Sequence, residues 1–456
     1  DLLALSQLSR QVENRDDKRP QLSDLRECLA GNALITNADT GQRIAVKDVV
    51  NNGLGFNVWA VDERYRLVKR PIIDAWAVGQ KPVFKVTTAS GRTIRCTDGH
   101  RFMTGAGWRE LKHIDIGTPV ATPRVYGEPQ CDQPLNRDRA LLLGLMIGNG
   151  WAGGSPAITT RNRADAEMIA ELARGEFGIK PRVEPERLSD LAWKVVLTTG
   201  YMCGAGKNPV TTWLRSIGAW GHTGTAKHVP DIVFSQSDRI VSAFLRGYFH
   251  ADGSLAAKPN SSSVIAKVCT ISRDLAYGVH HLLTRLGIVA AVRCDSHLAS
   301  GYRTSNGVIW TVMMTERAQV AAFMDEVGFL NDKHDAALAK MVSDKKNDAG
   351  HRDRMPPEVS SHVAFLKKSF GLSHASLGWR DQGKSMSRST AAMLAERLEC
   401  PWLASLATSD ILWDEIVSIE EDGTETVYDI TVKDLHNFCV DGFVTHNSGS
   451  LEQDAN

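Results

Sequence analysis

The chain has 456 residues, with 53 basic and 53 acidic side chains and a formal net charge of zero. That length exceeds one compact core and suggests two to four domains, and a neutral total supplies no long-range attraction to nucleic acid, so any such surface must come from local clustering. No apolar run approaches membrane-spanning length, which leaves a cytoplasmic protein with no membrane attachment as the expectation.

The chain opens at Asp1 with neither a methionine nor a basic-then-apolar leader, as expected of an internal fragment rather than a secreted precursor. Its eight cysteines (28, 96, 131, 203, 269, 294, 400 and 439) contain no C-x-x-C pair, which speaks against a disulfide framework or structural zinc and for reduced, mostly buried thiols. Residues 1–5 read as a buried strand, and the charged stretch 11–20 as exposed.

From Cys28 to about residue 121 the texture is short β segments (33–36, 57–61, 72–78, 83–88 and 92–97), with hairpin turns at 39–41 and 89–91. Between about 135 and 330 the order helix, strands, helix, strands, helix occurs twice, which predicts a pseudo-twofold α/β domain. Residues 331–408 are charged and helix-prone, with a helix at 389–398 started by Ser387 or Ser389, and form a linker or accessory region. β texture returns at 415–419, 426–432 and 443–445, so the β module is split around the duplicated one.

Acyl transfer from a peptide bond to a thiol needs a nucleophile, a polarised amide and a proton donor for the leaving nitrogen. Cys28 supplies the thiol and Glu27 the attacked carbonyl. Thr97 and His100 lie three apart at a strand end, where a turn could aim both at one amide. Near the C-terminus, His446, Asn447 and Ser448 place an imidazole, a carboxamide and a hydroxyl in a row.

With Val427-Tyr428-Asp429 and His436-Asn437-Phe438 in the same order, this set resembles an intein, a self-splicing insertion of the Hint fold. The resemblance implies a horseshoe-like all-β splicing domain, split in sequence into 28–134 and 409–447. It also implies four cofactor-free steps: Cys28 attacks Glu27 with help from Thr97 and His100; Ser448 takes the acyl group, with Asp429 coordinating; Asn447 cyclises, assisted by His446 and His436; and an ester-to-amide shift joins the flanks. A Hint-type domain that cleaves without ligating, and a DNA-binding nuclease with a splicing-inactive β scaffold, remain as alternatives.

Residues 1–27, joined to 448–456 across the excised unit, resemble the ATPase core of the bacterial replicative helicase family DnaB. The resemblance implies an ATP-binding, hexameric host whose subunits are the partners of the spliced product, incomplete in this chain.

Residues 142–150 and 245–253 resemble the two motifs of a LAGLIDADG homing endonuclease. Gly144 and Gly148, like Gly247 and Ala251, are four apart, so small residues share one helix face and let two helices pack closely. The resemblance implies a domain over 135–330 that binds double-stranded DNA at an intein-free helicase gene, with Asp252 and position 149 as Mg²⁺ ligands and Lys227 as a neighbouring base. Position 149 is asparagine, which brings no charge to a hard cation, so impaired cleavage is expected.

Overall fold

The computed structural model describes residues 27–151, 155–186, 192–200, 208–257, 264–296, 308–331, 353–380 and 385–447. The expectations for 1–5, 11–20 and Ser448 lie outside them. The chain divides into two compact units, one made of residues 1–127 and 349–456 and the other of 128–348.

The first unit is built on a 12-stranded sheet whose order mixes the two sequence halves. Its spine is an antiparallel pair of 22-residue strands, Leu67–Thr88 and Ile411–Val432. The sequence suggests four shorter strands, because Gly79 and the polar residues after it resemble a turn. Instead the ladder runs on through four register shifts, including one at Val427/Tyr428, opposite Gly79 and Ala77. Bulges absorb the irregular residues and add twist without ending the pairing. The two-residue strand Leu29–Ala30 lies between Tyr428 on one side and Cys96 on the other, which fixes the residue after Cys28 at the middle of the sheet.

The helices Pro357–Ser369, Arg388–Arg397 and Pro401–Ala407 also belong to this unit. Val359, Val363, Leu394 and Leu403 form one cluster with Trp59, Tyr126 and Trp413. Ser387 caps the second helix by accepting from the Thr390 amide. Half-buried Arg388 donates to the Leu406, Ala407 and Ile411 carbonyls and pairs with Asp353.

In the second unit, Arg137–Asn149 and Asp238–Asp252 are the two motif helices. The first is apolar on every side from Ala140 to Gly148 and correspondingly buried all round. A Cβ on Gly144 would lie 2.0 Å from the Phe244 carbonyl oxygen, and one on Gly247 2.2 Å from that of Leu141, so only glycine permits this approach. Each helix leads into a four-stranded sheet, and the two sheets share one topology. The strands Gly150–Trp151, Ala157–Thr160, Trp193–Val196 and Arg182–Pro185 are ordered like Gly253–Ala257, Val264–Thr270, Val308–Met314 and Ala291–Ser296. The duplication is therefore present element by element.

Candidate functional site

Cys28 is fully buried at the start of the strand Leu29–Ala30. Thr97 holds its backbone from the neighbouring strand: the Cys28 amide donates to Thr97 Oγ1 at 3.2 Å, and the Thr97 amide donates to the Cys28 carbonyl at 3.0 Å. Burial pushes the thiol well above the ordinary cysteine range, with the Asp429 charge adding to it and Lys81 opposing. Cys28 therefore rests as a protonated thiol, and attack requires a base.

The turn after Thr97, closed by the His100 amide donating to the Thr97 carbonyl at 3.1 Å, brings His100 beside the Glu27–Cys28 bond. Its ring is fully buried, against Phe102 at 5.5 Å. Desolvation lowers its pKa to about 4, against the upward pull of the Glu27 carboxylate and backbone, so the imidazole is neutral. Among the described residues neither ring nitrogen has a well-formed hydrogen bond, although the Glu27 backbone lies close enough to favour the protonated ring. Catalytic hydrogen bonds often tighten only as reaction begins.

The downstream border reaches the same place through the hairpin Asn437–Val440 and Phe443–His446. Asn437 secures it: its side-chain amide donates to the Val61 carbonyl at 3.0 Å, and its Oδ1 accepts from the Val61 amide at 2.7 Å. His436 has a left-handed backbone, φ 51, at a cost of about 1–2 kcal/mol for a non-glycine residue. In that conformation its carbonyl accepts the Asn447 amide at 3.0 Å. Asn447 is fully buried, and the His436 and His446 rings stack 6.5 Å apart. Asp429, 1% exposed, lies on the long strand facing Cys28, and its Oδ1 accepts from the Ile430 amide at 2.8 Å.

The motif pattern misses two residues. The Glu27 side chain, 2% exposed, accepts from His446 Nδ1 at 2.8 Å, and its other oxygen pairs with Arg101 Nε. Burial pushes this carboxyl upward, but His446 and Arg101 together outweigh it and hold it below the usual range. A charge at the residue carrying the attacked carbonyl, and an arginine directly after His100, are the sequence signals for the pairing.

In the second unit Asn149 and Asp252 end the two motif helices, both exposed, and a Cβ on Gly148 would lie 3.6 Å from Asp252 Cγ. Asn149 Nδ2 donates to the Ala251 carbonyl at 3.0 Å. Half-buried Lys227 donates to the Ile147 and Gly148 carbonyls at 2.8 and 2.6 Å, where a helix C-terminus favours a cation. Desolvation raises the Asp252 carboxyl and Lys227 draws it back. Among the described residues no three His, Cys, Asp or Glu side chains cluster as a metal site, and no helix is long and apolar enough to cross a membrane.

The model of the intein splicing domain matches residues 35–447, and that of the DnaB-like helicase C-terminal domain matches 1–40. A replicative DNA helicase DnaB from Rhodothermus marinus is 37% identical over the whole chain and 49% of its own length. Its counterpart from Synechocystis sp. is 34% identical, over the whole chain and 53% of its length. The chain thus spans about half of the curated relatives it matches. A solved structure of mesophilic variants of the homing endonuclease I-DmoI covers 42% of this chain and 95% of its own, at 16% identity and a TM-score of 0.29, too low to add weight to the geometry.

Proposed function

Because this chain belongs to the intein splicing-domain family, we propose that residues 28–447 excise themselves and join Glu27 to Ser448. The observation that carries this is that the two borders, 419 residues apart in sequence, meet in one buried site through His446 and Glu27. Such a site acts on its own chain, so it needs no opening for substrate.

In the first step the Cys28 sulfur bonds to the Glu27 carbonyl carbon and the Glu27–Cys28 C–N bond breaks. Neutral His100 carries the thiol proton to the leaving nitrogen, acting first as base and then as acid, while Thr97 holds the Cys28 backbone. In the second, the Ser448 hydroxyl oxygen takes the acyl group and its proton goes to the Cys28 sulfur, with Asp429 beside that sulfur. In the third, the Asn447 side-chain nitrogen attacks its own backbone carbonyl, closing a succinimide. The amine of Ser448 leaves with a proton, assisted by His446 and His436. Finally that amine attacks the ester and the flanks become one amide.

Incubating the purified chain and weighing the products tests this. Release of residues 28–447 with ligated flanks is expected, and an intact chain with Cys28 reduced would refute it. The joined flanks would restore a replicative helicase, ATP-dependent and hexameric in its full length.

For residues 128–348 we propose a LAGLIDADG endonuclease unit that binds double-stranded DNA and cuts it poorly. The motif-helix ends do not fit Mg²⁺: one carboxylate, Asp252, stands opposite an amide whose nitrogen is committed to Ala251, and Lys227 supplies positive charge there. Efficient double-strand cleavage of an intein-free helicase gene would contradict this.

A further inference from the structure

We propose that the Glu27 side chain is a positioning residue that locks His446, holding back Asn447 cyclisation until the upstream flank has left Cys28. This rests on the splicing function proposed above. Every other described side chain of that site stays with the excised unit, whereas Glu27 departs with the flank. The lock is therefore removed by the reaction it guards.

The geometry supplies the reason. His446 Nδ1 and Glu27 Oε2 are 2.8 Å apart, while Arg101 Nε holds the other carboxylate oxygen. A carboxylate at Nδ1 fixes the tautomer with its proton there, and the ring is braced by Trp108 at 5.1 Å. An Nδ1–H given to Glu27 cannot also be given to the carbonyl that Asn447 must attack. The Asn447 backbone amide is meanwhile donated to the His436 carbonyl. A buried carboxylate is stable only with its partners in place, so this pairing is a defined state rather than a passing contact.

Release follows from connectivity. Glu27 is held against His446 through its bond to Cys28, whose carbonyl is fixed by the Thr97 amide. The first step replaces that peptide bond with a thioester, and the second carries the Glu27 carbonyl to the Ser448 oxygen, beyond His446 along the chain. Arg101 stays behind without its carboxylate, and His446 is free to serve Asn447. Premature cyclisation would cut the downstream flank loose before ligation, and the lock suppresses that loss.

The test uses the full chain with Cys28→Ala, in which Glu27 cannot leave, and follows cleavage of the Asn447–Ser448 bond. Adding Glu27→Ala should speed this cleavage by ~10–10²-fold, at or below what a positioned acid–base group contributes. Glu27→Gln, which keeps the acceptor oxygen without its charge, should fall between. A merely structural role for Glu27 would slow the cleavage on substitution, and the ring-nitrogen NMR signals of His446 should lose their carboxylate-bound signature only in the Glu27 variants. Equal or slower cleavage in Glu27→Ala overturns the lock. If the unaltered chain fails to splice while Glu27→Ala still accelerates cleavage, the splicing function is wrong and the lock stands. If the unaltered chain splices without that acceleration, the reverse holds.

Discussion

The two units bury their chemistry to opposite degrees. In the split β unit Cys28, His100 and Asn447 are fully buried and Asp429 nearly so, whereas in the duplicated unit Asn149 and Asp252 stand exposed at the helix ends. A site whose substrate is its own chain can exclude water, whereas the helix-end residues of the other unit are open to solvent. Dry surroundings also hold Cys28 and His100 neutral, so the first step begins with a proton transfer and not from a poised thiolate. At the open site Lys227 sits where the helix carbonyls converge.

The sharpest break of this contrast is removal of a border nucleophile. Asn447→Ala should abolish release of the downstream flank while leaving the thioester formed at Cys28, seen as hydroxylamine-sensitive cleavage after Glu27. His100→Ala should slow that thioester by ~10²–10⁴-fold, the usual worth of a positioned acid–base group. His100 also makes stability depend on pH. In the folded chain it binds its proton only near pH 4, against an ordinary value of 6.5. Between those values the unfolded state holds more protons, so stability is full above the ordinary value and falls as the solution is acidified toward pH 4, by up to about 3 kcal/mol. In a Cys28→Ala background, His100→Gln should flatten that slope in denaturant titrations. An unchanged slope would mean that the ring is hydrated.

How much of this was legible in the sequence differs between the units for the same physical reason. Cys28, Thr97, His100, His446 and Asn447 sit in local spacings that a turn or strand end explains, and Gly144 and Gly247 announce a close helix pair. The long ribbon was hidden because Gly79 breaks the alternation that marks a strand, and only the opposite strand shows that pairing continues. The helices between 357 and 407 read as a linker because the partners of Val359, Val363, Leu394 and Leu403, among them Trp59 and Tyr126, lie far away in sequence. The contact of Glu27 with His446 spans 419 residues, and the local signals, a charge before Cys28 and an arginine after His100, do not point to His446 as the partner.

The duplicated unit should be separable from splicing. Gly144→Val places side-chain carbon where the Phe244 oxygen and Tyr248 nitrogen lie, 2.0 and 2.7 Å from an ideal Cβ. Overpacking of that kind costs about 3 kcal/mol or more when backbone must move. Hydrogen exchange should rise within 128–348 while the splicing rate stays within about two-fold, since the two units have separate hydrophobic cores and residues without shared partners act independently. A parallel loss of splicing would show that the β unit needs its insert.

The smallest effect bears on the open site itself. Asn149→Asp replaces a donor to the Ala251 carbonyl with a carboxylate oxygen, so without metal the variant should lose about 1 kcal/mol from the broken hydrogen bond and the new repulsion. It also sets a second carboxylate near Asp252, the arrangement a hard cation prefers. Mg²⁺ should therefore raise the variant's thermal midpoint and leave the parent unmoved, because only a state that binds the ion gains from it. Lys227 limits the gain, since its ammonium already supplies positive charge beside Asp252. Lys227→Met added to Asn149→Asp should then enlarge the Mg²⁺ response. A parent chain that itself responds to Mg²⁺ would mean that Asp252 and the helix carbonyls suffice to bind it, and would remove the ground for the poor cleavage proposed for this unit.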